Sequence, residues 1–436
     1  MAFTFSTALA NYNDRRYDII RNLEEPGGVP HLEVYVDSSM YATVGAGFKV
    51  DSWVTAILTN MSLPGVGATG TNFTKARDAI TAATKGKTFA SAAAAQTAIN
   101  DAMNTALGLT GAARLGFAFS SNTQVRNTFD AIAETFETQV RNWFGGVVPE
   151  DREHIALLSL AYNNIVGERR DAAGNFLGWK SPNLRQAMID GDRAEAWFQI
   201  RYDSNGGASQ RVGIAKRRFY ESSLFGLSAD LSNPTVPEAQ GAYQLLTRKR
   251  SEIMAYEALW GLNPDGTVGS IKDGNGRTGL QAVTADYAGI LLDANLSGSN
   301  TATLQNQFSL LKTTLLTDLR TSNADLVVNL QDAQWLSTNI YLNGNTGGRL
   351  DSLKYQTGNF QTNGAQDQMI GGSGADTLKG NKGNDLLIGN SYKWSATSWA
   401  ADGTLINGLA APDFSDVIYG GNGNDHAWGG MGRHGG

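Results

Sequence analysis

Two groups of carboxylates near the start of the chain have the types and spacing for acid–base chemistry. Glu24 and Glu25 come first, and Asp37 follows after a Gly/Pro turn and a strand-like run. Two carboxyl groups held in different protonation states are what general acid and base cleavage requires. Upstream, Tyr17, Ile20 and Leu23 recur among charges, the spacing of an amphipathic helix that ends near Pro26, Gly27 and Gly28. Glu24 then closes that helix, where the negative end of the dipole opposes a further negative charge. Leu32, Val34 and Val36 alternate with Glu33 and Tyr35 and predict a strand. Asp37, Ser38 and Ser39 supply turn formers before a second strand, Ala42 to Phe48. A glutamate closing a helix and an aspartate opening a turn also serve purely structural ends.

A second chemical set lies at the other end of the chain. GGSGADTLK (371–379) and GNKGNDLLI (380–388) are consecutive nine-residue units, and GGNGNDHAW (420–428) is a third, beyond an insertion spanning 391–413. Gly372, Gly374, Gly383, Gly421 and Gly423 allow turns of positive φ that aim carbonyls inward. Asp367, Asp376, Asp385, Asp416 and Asp425 supply hard oxygen donors, and Leu378 and Leu387 supply an apolar interior. The pattern G-G-x-G-x-D-x-U-x resembles the calcium-binding nonapeptide of RTX proteins. That resemblance implies structural Ca2+, a C-terminal parallel β-roll and export through a type I secretion apparatus, with folding on meeting extracellular calcium. An ion between turns two repeats apart pairs Asp367 with Asp385, and Asp416 with position 434, which is His434. The partner of Asp425 falls past Gly436, and the insertion leaves the pairing of Asp376 open.

Composition bounds the remainder. The chain has 436 residues, room for two to four domains, and its net charge of -6 gives no electrostatic case for nucleic acid. It has no cysteine, so no disulfide or thiolate metal site, and its 4 scattered histidines offer little to a zinc hydrolase. The first residues lack a basic region followed by an apolar stretch, so no Sec signal peptide is expected. No apolar run reaches the roughly 18 residues of a membrane span.

The pattern I-x-x-L-E followed by Y-x-D-x5-T-x-G-x-G resembles the catalytic lobe of the phage-type, T4-lysozyme-like muramidases of glycoside hydrolase family 24. The resemblance assigns the catalytic glutamate to Glu24, the aspartate to Asp37 and the threonine to Thr43. The chain departs from that pattern in three places. The run EPGGVP (25–30) is inserted after Glu24 and makes Glu25 a rival acid, although Ile20 and Leu23 favour Glu24. Met40 stands where the family has a turn glycine, so the hairpin is not expected to turn there with positive φ. Phe48 replaces a histidine.

Between 149 and 227, the blocks IALLSLAYNN (155–164), SPNLRQAMIDGD (181–192), the helix carrying Trp197, and GIAKRRFYESSLF (213–225) resemble the family's helical blocks in their order. Trp197, Arg201 and Tyr202 are candidates for glycan contact, with burial of Trp197 an equal alternative. Arg217 and Glu221, four residues apart, read as a helix pair. The resemblance covers about 12–54 and 149–227. Elsewhere, Val125, Phe129, Ile132, Phe136, Val140, Trp143 and Phe144 form a helical core stripe. Residues 72–107 read as helices of low burial within an insertion at about 64–115, and 237–260 and 278–335 as further helices.

The expected fold is α+β. A mainly helical, two-lobed lysozyme-like domain with a small β-hairpin lobe occupies 1–230, a helical region of no assigned role 231–360, and the RTX β-roll 361–436. The resemblances imply a secreted, extracellular muramidase that cleaves the β-1,4 bond between MurNAc and GlcNAc of bacterial peptidoglycan. Two alternatives are a secreted calcium-binding adhesin or wall-binding protein with a decayed lysozyme-like domain, and a pore-forming toxin.

Overall fold

A computed structural model describes residues 3–25, 27–204, 212–262 and 267–322, followed by the segments 341–343, 358–361, 367–370, 376–379, 386–388 and 417–428. It is mostly helical with small antiparallel sheets, an α+β chain. Two compact units divide it: 8–180 with 285–293, and 1–7 with 181–284 and 294–436.

The first unit opens with helix α1, Tyr12–Glu24, which buries Tyr17, Ile19, Ile20 and Leu23. Three short strands follow: β1 His31–Val36, β2 Ala42–Gly45 and β3 Phe48–Lys49, an antiparallel sheet in the order β1-β2-β3. The expected second strand is therefore two strands, bent by left-handed turns at Gly45 and Gly47. Met40 corrects an expectation. It adopts φ 66°, the left-handed turn anticipated only for glycine. Asp37 holds it there, since its carbonyl accepts from Met40 N at 2.9 Å and its Oδ1 accepts from Ser39 N at 2.8 Å and Tyr41 N at 2.9 Å. Four turn hydrogen bonds, counting Asp37 N to Tyr41 O at 3.0 Å, outweigh the strain of one L residue, about 1 kcal/mol.

Helix α2, Val50–Met61, leads into α3, Thr71–Thr84, and α4, Ala92–Leu107. The expected low burial of these last two is also corrected. Ala76, Ile80, Ala95, Ile99 and Met103 are fully buried and belong to the same apolar core as β2 and α2. Small alanines do not forfeit a core; they let helix axes approach until the isoleucines interdigitate. Helix α5, Asn122–Phe144, buries Val125, Phe129, Ile132, Val140 and Trp143, and α6, Arg152–Tyr162, starts at Asp151, whose side chain caps it. A two-stranded hairpin, β4 Glu168–Arg170 and β5 Phe176–Trp179, completes this unit.

The second unit contains α7 Pro182–Asp190, α8 Arg193–Phe198, a π turn at Gln199–Asp203, α9 Val212–Phe225, α10 Val236–Trp260, α11 Gly279–Asp286, whose last residues belong to the first unit, and α12 Leu304–Ser322. Thr235 and Glu238 form a capping box at the start of α10. Residues 323–335 of the expected last helix lie outside the described residues.

Parallel strands follow. In one sheet β8 Asp367–Ile370, β10 Leu386–Ile388 and β12 His426–Trp428 run in parallel, with β6 Tyr341–Asn343 antiparallel at the edge; in the other, β7 Gly358–Gln361, β9 Asp376–Lys379 and β11 Val417–Tyr419 are parallel. Leu387 is in register with Met369, and Leu378 with Phe360, each eighteen residues back. Beyond the insertion, Ile418 is in register with Leu378 and Ala427 with Leu387, forty residues back. The ladder resumes in phase across the insertion because the apolar positions must stack, and Leu378 and Leu387 are fully buried. β11 and β12 thus neighbour β9 and β10, which precede the insertion, while Asp416 and His434 of the expected pairing lie outside the described residues.

Candidate functional site

Glu24 is the last residue of α1, and the β2–β3 turn presses against it. A Cβ at Gly47, where φ is 79°, would lie 3.3 Å from both Cβ and Oε2 of Glu24. A Cβ at Gly45 would overlap the Phe48 ring. The two glycines of T-x-G-x-G thus have separate tasks, one admitting Glu24 and the other Phe48. Phe48 is fully buried and meets Phe119 edge-on at 6.5 Å, so the position is core here. Tyr162, at the end of α6, donates to the Ala46 carbonyl at 3.2 Å and fixes the turn.

Glu25, the next residue, is buried. Its Oε1 accepts from the Tyr35 hydroxyl in a short hydrogen bond, and its Oε2 lies 3.3 Å from His31 Nε2. The His31 and Tyr35 rings stack with centroids 4.2 Å apart. Burial pushes the Glu25 carboxyl up, and the Tyr35 and His31 contacts only partly offset this. Burial, then the Glu25 carboxylate, pushes the Tyr35 phenol up too. The cluster of His31 and Tyr35 around the rival acid was not foreseen. Its signal is a histidine and a tyrosine four residues apart on β1, directly after an inserted turn.

Thr43 is buried on β2, in register with Tyr35, and its hydroxyl donates to the Tyr41 carbonyl at 3.3 Å. Strand alternation puts Asp37 on the same side as Tyr35. Oδ1 of Asp37 is taken by the turn. The sheet therefore brings Thr43, Tyr35 and Asp37 to one side of a hairpin, while Glu24, Glu25 and Gly47 meet at the helix end.

Trp197, Arg201 and Tyr202 belong to the other unit, in its core. Trp197 and Arg201 are fully buried, and Arg201 donates to Glu257 at 3.0 Å, to the Ala302 carbonyl at 2.7 Å and to Ser222 at 3.3 Å. Tyr202 donates to Glu257 at 2.9 Å, and burial followed by that carboxylate holds its phenol well above the usual range. The expected glycan contact is corrected to a core role: a guanidinium whose donors are spent on buried acceptors has none to offer a sugar. Arg217 and Arg218 both pair with Glu221 inside α9, as a helix pair. A cavity of about 220 Å³ in this unit, lined by Ser223, Leu231, Asn295, Asn306 and Gln307 among others, has no ionisable side chain in its lining and is no place for acid–base work.

In the tail, Asp367 and Asp376 begin β8 and β9, and the carboxylate of Asp425 folds onto the preceding turn so closely that Gly420 leaves no space for a side chain. Gly421 and Gly423 have φ of 101° and 141°, a backbone region that L side chains rarely adopt. Gly372, Gly374, Gly383, Asp385 and Asp416 lie outside the described residues. Among the described residues, no three acidic, histidine or cysteine side chains come together. The repeat offers turn carbonyls and aspartates, hard oxygen donors that fit Ca2+.

No described helix is long and apolar enough to cross a membrane. No curated protein and no solved structure matches the chain. The family described as the RTX calcium-binding nonapeptide repeat (4 copies) matches residues 362–391 and 413–433, and the chain carries these repeats in its C-terminal part.

Proposed function

We propose that the chain is a secreted peptidoglycan hydrolase that cleaves the β-1,4 bond between MurNAc and GlcNAc, and that its calcium-binding RTX tail folds as a β-roll after export by a type I secretion apparatus. One observation carries the catalytic reading: Gly47 of the T-x-G-x-G turn seats Glu24 at the end of α1, beside the hairpin that bears Asp37 and Thr43. Glu24, as general acid, donates its proton to the leaving glycosidic oxygen. Asp37, with the Thr43 hydroxyl, orients a water on the opposite face of the sugar and takes its proton as the water attacks, which inverts the anomeric centre. Calcium, when bound, would couple folding of the tail to the ion, with Asp425 and the other aspartates of the repeat, Asp367 and Asp376 among them, as the residues that would hold it.

A second reading rests on Asp37, whose Oδ1 is committed to the turn. A carboxylate serving only that turn leaves a non-catalytic wall-binding or adhesive protein. Zymography on purified peptidoglycan separates the two: clearing supports hydrolysis, whereas binding without clearing supports the second reading.

A further inference from the structure

The β4–β5 hairpin exposes two large apolar side chains in succession. Phe176 is 51% and Leu177 58% exposed, and the Phe176 and Trp179 rings meet edge-on at 5.1 Å. Core packing does not account for the exposure of Phe176 and Leu177. The hairpin is stiff: Asp171 accepts from Ala173 N at 2.9 Å and Asn175 N at 2.8 Å, and Lys180 N donates to Gly167 O at 2.9 Å. Register pairs Glu168 with Trp179 and Arg170 with Phe176, so the Arg170–Glu168 ion pair lies alongside the aromatic rings. Arg169 is exposed on the adjoining position. The hairpin also adjoins the candidate site: α6 ends at Tyr162, which holds the Ala46 carbonyl, and Asn164, two residues on, accepts from Lys180 just past β5.

We propose that this hairpin is a glycan platform, on which Phe176 and Trp179 stack against the C–H faces of successive N-acetylated sugars. Arg170 and Glu168 reach their hydroxyl and amide groups, and Arg169 meets the carboxylates that peptidoglycan carries on its lactyl and peptide branches. Aromatic faces suit the apolar side of a pyranose, and an ion pair beside them provides a donor and an acceptor in fixed geometry. The choice of glycan rests on the hydrolase reading above. The platform extends it by naming where the strand is gripped away from the bond that breaks.

The test uses the full chain carrying Glu24→Gln, so that substrate survives, in millimolar calcium. Sedimentation with purified sacculi is expected to weaken about tenfold on Phe176→Ser, the loss of one stacking contact. Leu292→Ser, an equally drastic change at a 78% exposed site outside the hairpin, leaves it unchanged. Arg169→Gln weakens binding to sacculi and not to neutral chitin. Equal binding by Phe176→Ser overturns the platform and, where the chain with Glu24 intact still clears sacculi, leaves the hydrolase standing. Loss of binding to anionic phosphatidylglycerol vesicles on Phe176→Ser, with no binding to sacculi, overturns it in favour of a membrane face. Absence of both sacculus binding and clearing removes the hydrolase reading together with the platform.

Discussion

Gly47 lies tightly against the Glu24 side chain: a Cβ there would stand 3.3 Å from Oε2, so that Glu24 would have to give by a few tenths of an ångström. Gly47→Ala therefore displaces the proposed acid and strains a backbone at φ 79°. The expected outcome is a stability loss of about 1 kcal/mol and a fall in wall clearing of about tenfold or more, with circular dichroism unchanged. Clearing at the parental rate would show that Glu24's seat does not matter.

Met40 makes the opposite prediction. It holds a left-handed turn with its side chain 40% exposed, so Met40→Gly relieves strain and loses little packing. Chemical denaturation should show a gain of about 1 kcal/mol. A loss of that size would mean that the Met40 side chain contributes more than its conformation costs.

Asp151 predicts a pH dependence. Burial, with Glu153 nearby, pushes its carboxyl from the ordinary 3.8 up to about 7, although it caps α6 by accepting from His154 N. A carboxyl with a pKa raised by folding contributes stability that is complete below the unfolded value and is lost as pH rises through the folded one. Thermal unfolding should thus shift to lower temperature as pH rises from about 4 through 7. Asp151→Asn keeps a good cap and should flatten that slope. An unchanged slope in the variant would place the dependence elsewhere.

The Arg201–Glu257 pair is fully buried on both sides. Removing one partner, as in Glu257→Ala, leaves a buried charge unpaired and should cost about 3–5 kcal/mol. Adding Arg201→Met to that variant should recover part of the loss, a non-additivity that a double-mutant cycle measures. Strict additivity would mean that the pair does not act as a unit.

How much of this was legible in the sequence depends on how local the determining physics is. The end of α1 at Glu24 and the strand through Val34 and Val36 follow from periodicity and turn formers. So does the period of the tail, where glycine, aspartate and leucine recur in a fixed frame. Tertiary contacts are not local. The burial of Ile80 and Ile99 depends on what packs across them, and Met40 is held by its hydrogen bond to the Asp37 carbonyl and by the Asp37 carboxylate, which takes the amides of Ser39 and Tyr41 on either side. Trp197, Arg201 and Tyr202 read as candidates for glycan contact with burial of Trp197 an equal alternative, because aromatic and guanidinium groups serve both surfaces and cores; Glu257, 56 residues beyond Arg201, decides for the core. The ladder crosses the insertion in phase because the apolar positions find each other, which counting by eighteen cannot anticipate.

The hydrolase reading meets its most direct test in the release of soluble muropeptides from purified peptidoglycan, in millimolar calcium, by the full chain and by its Glu24→Gln and Glu25→Gln variants. The amide is nearly isosteric and has no proton to donate. The account predicts release by the parent, none by Glu24→Gln, and much smaller impairment in Glu25→Gln. Loss in Glu25→Gln with Glu24→Gln still active would move the acid to the buried cluster of Tyr35 and His31. Release by both variants at the parental rate, or none by the parent, would contradict the two-carboxylate hydrolase outright.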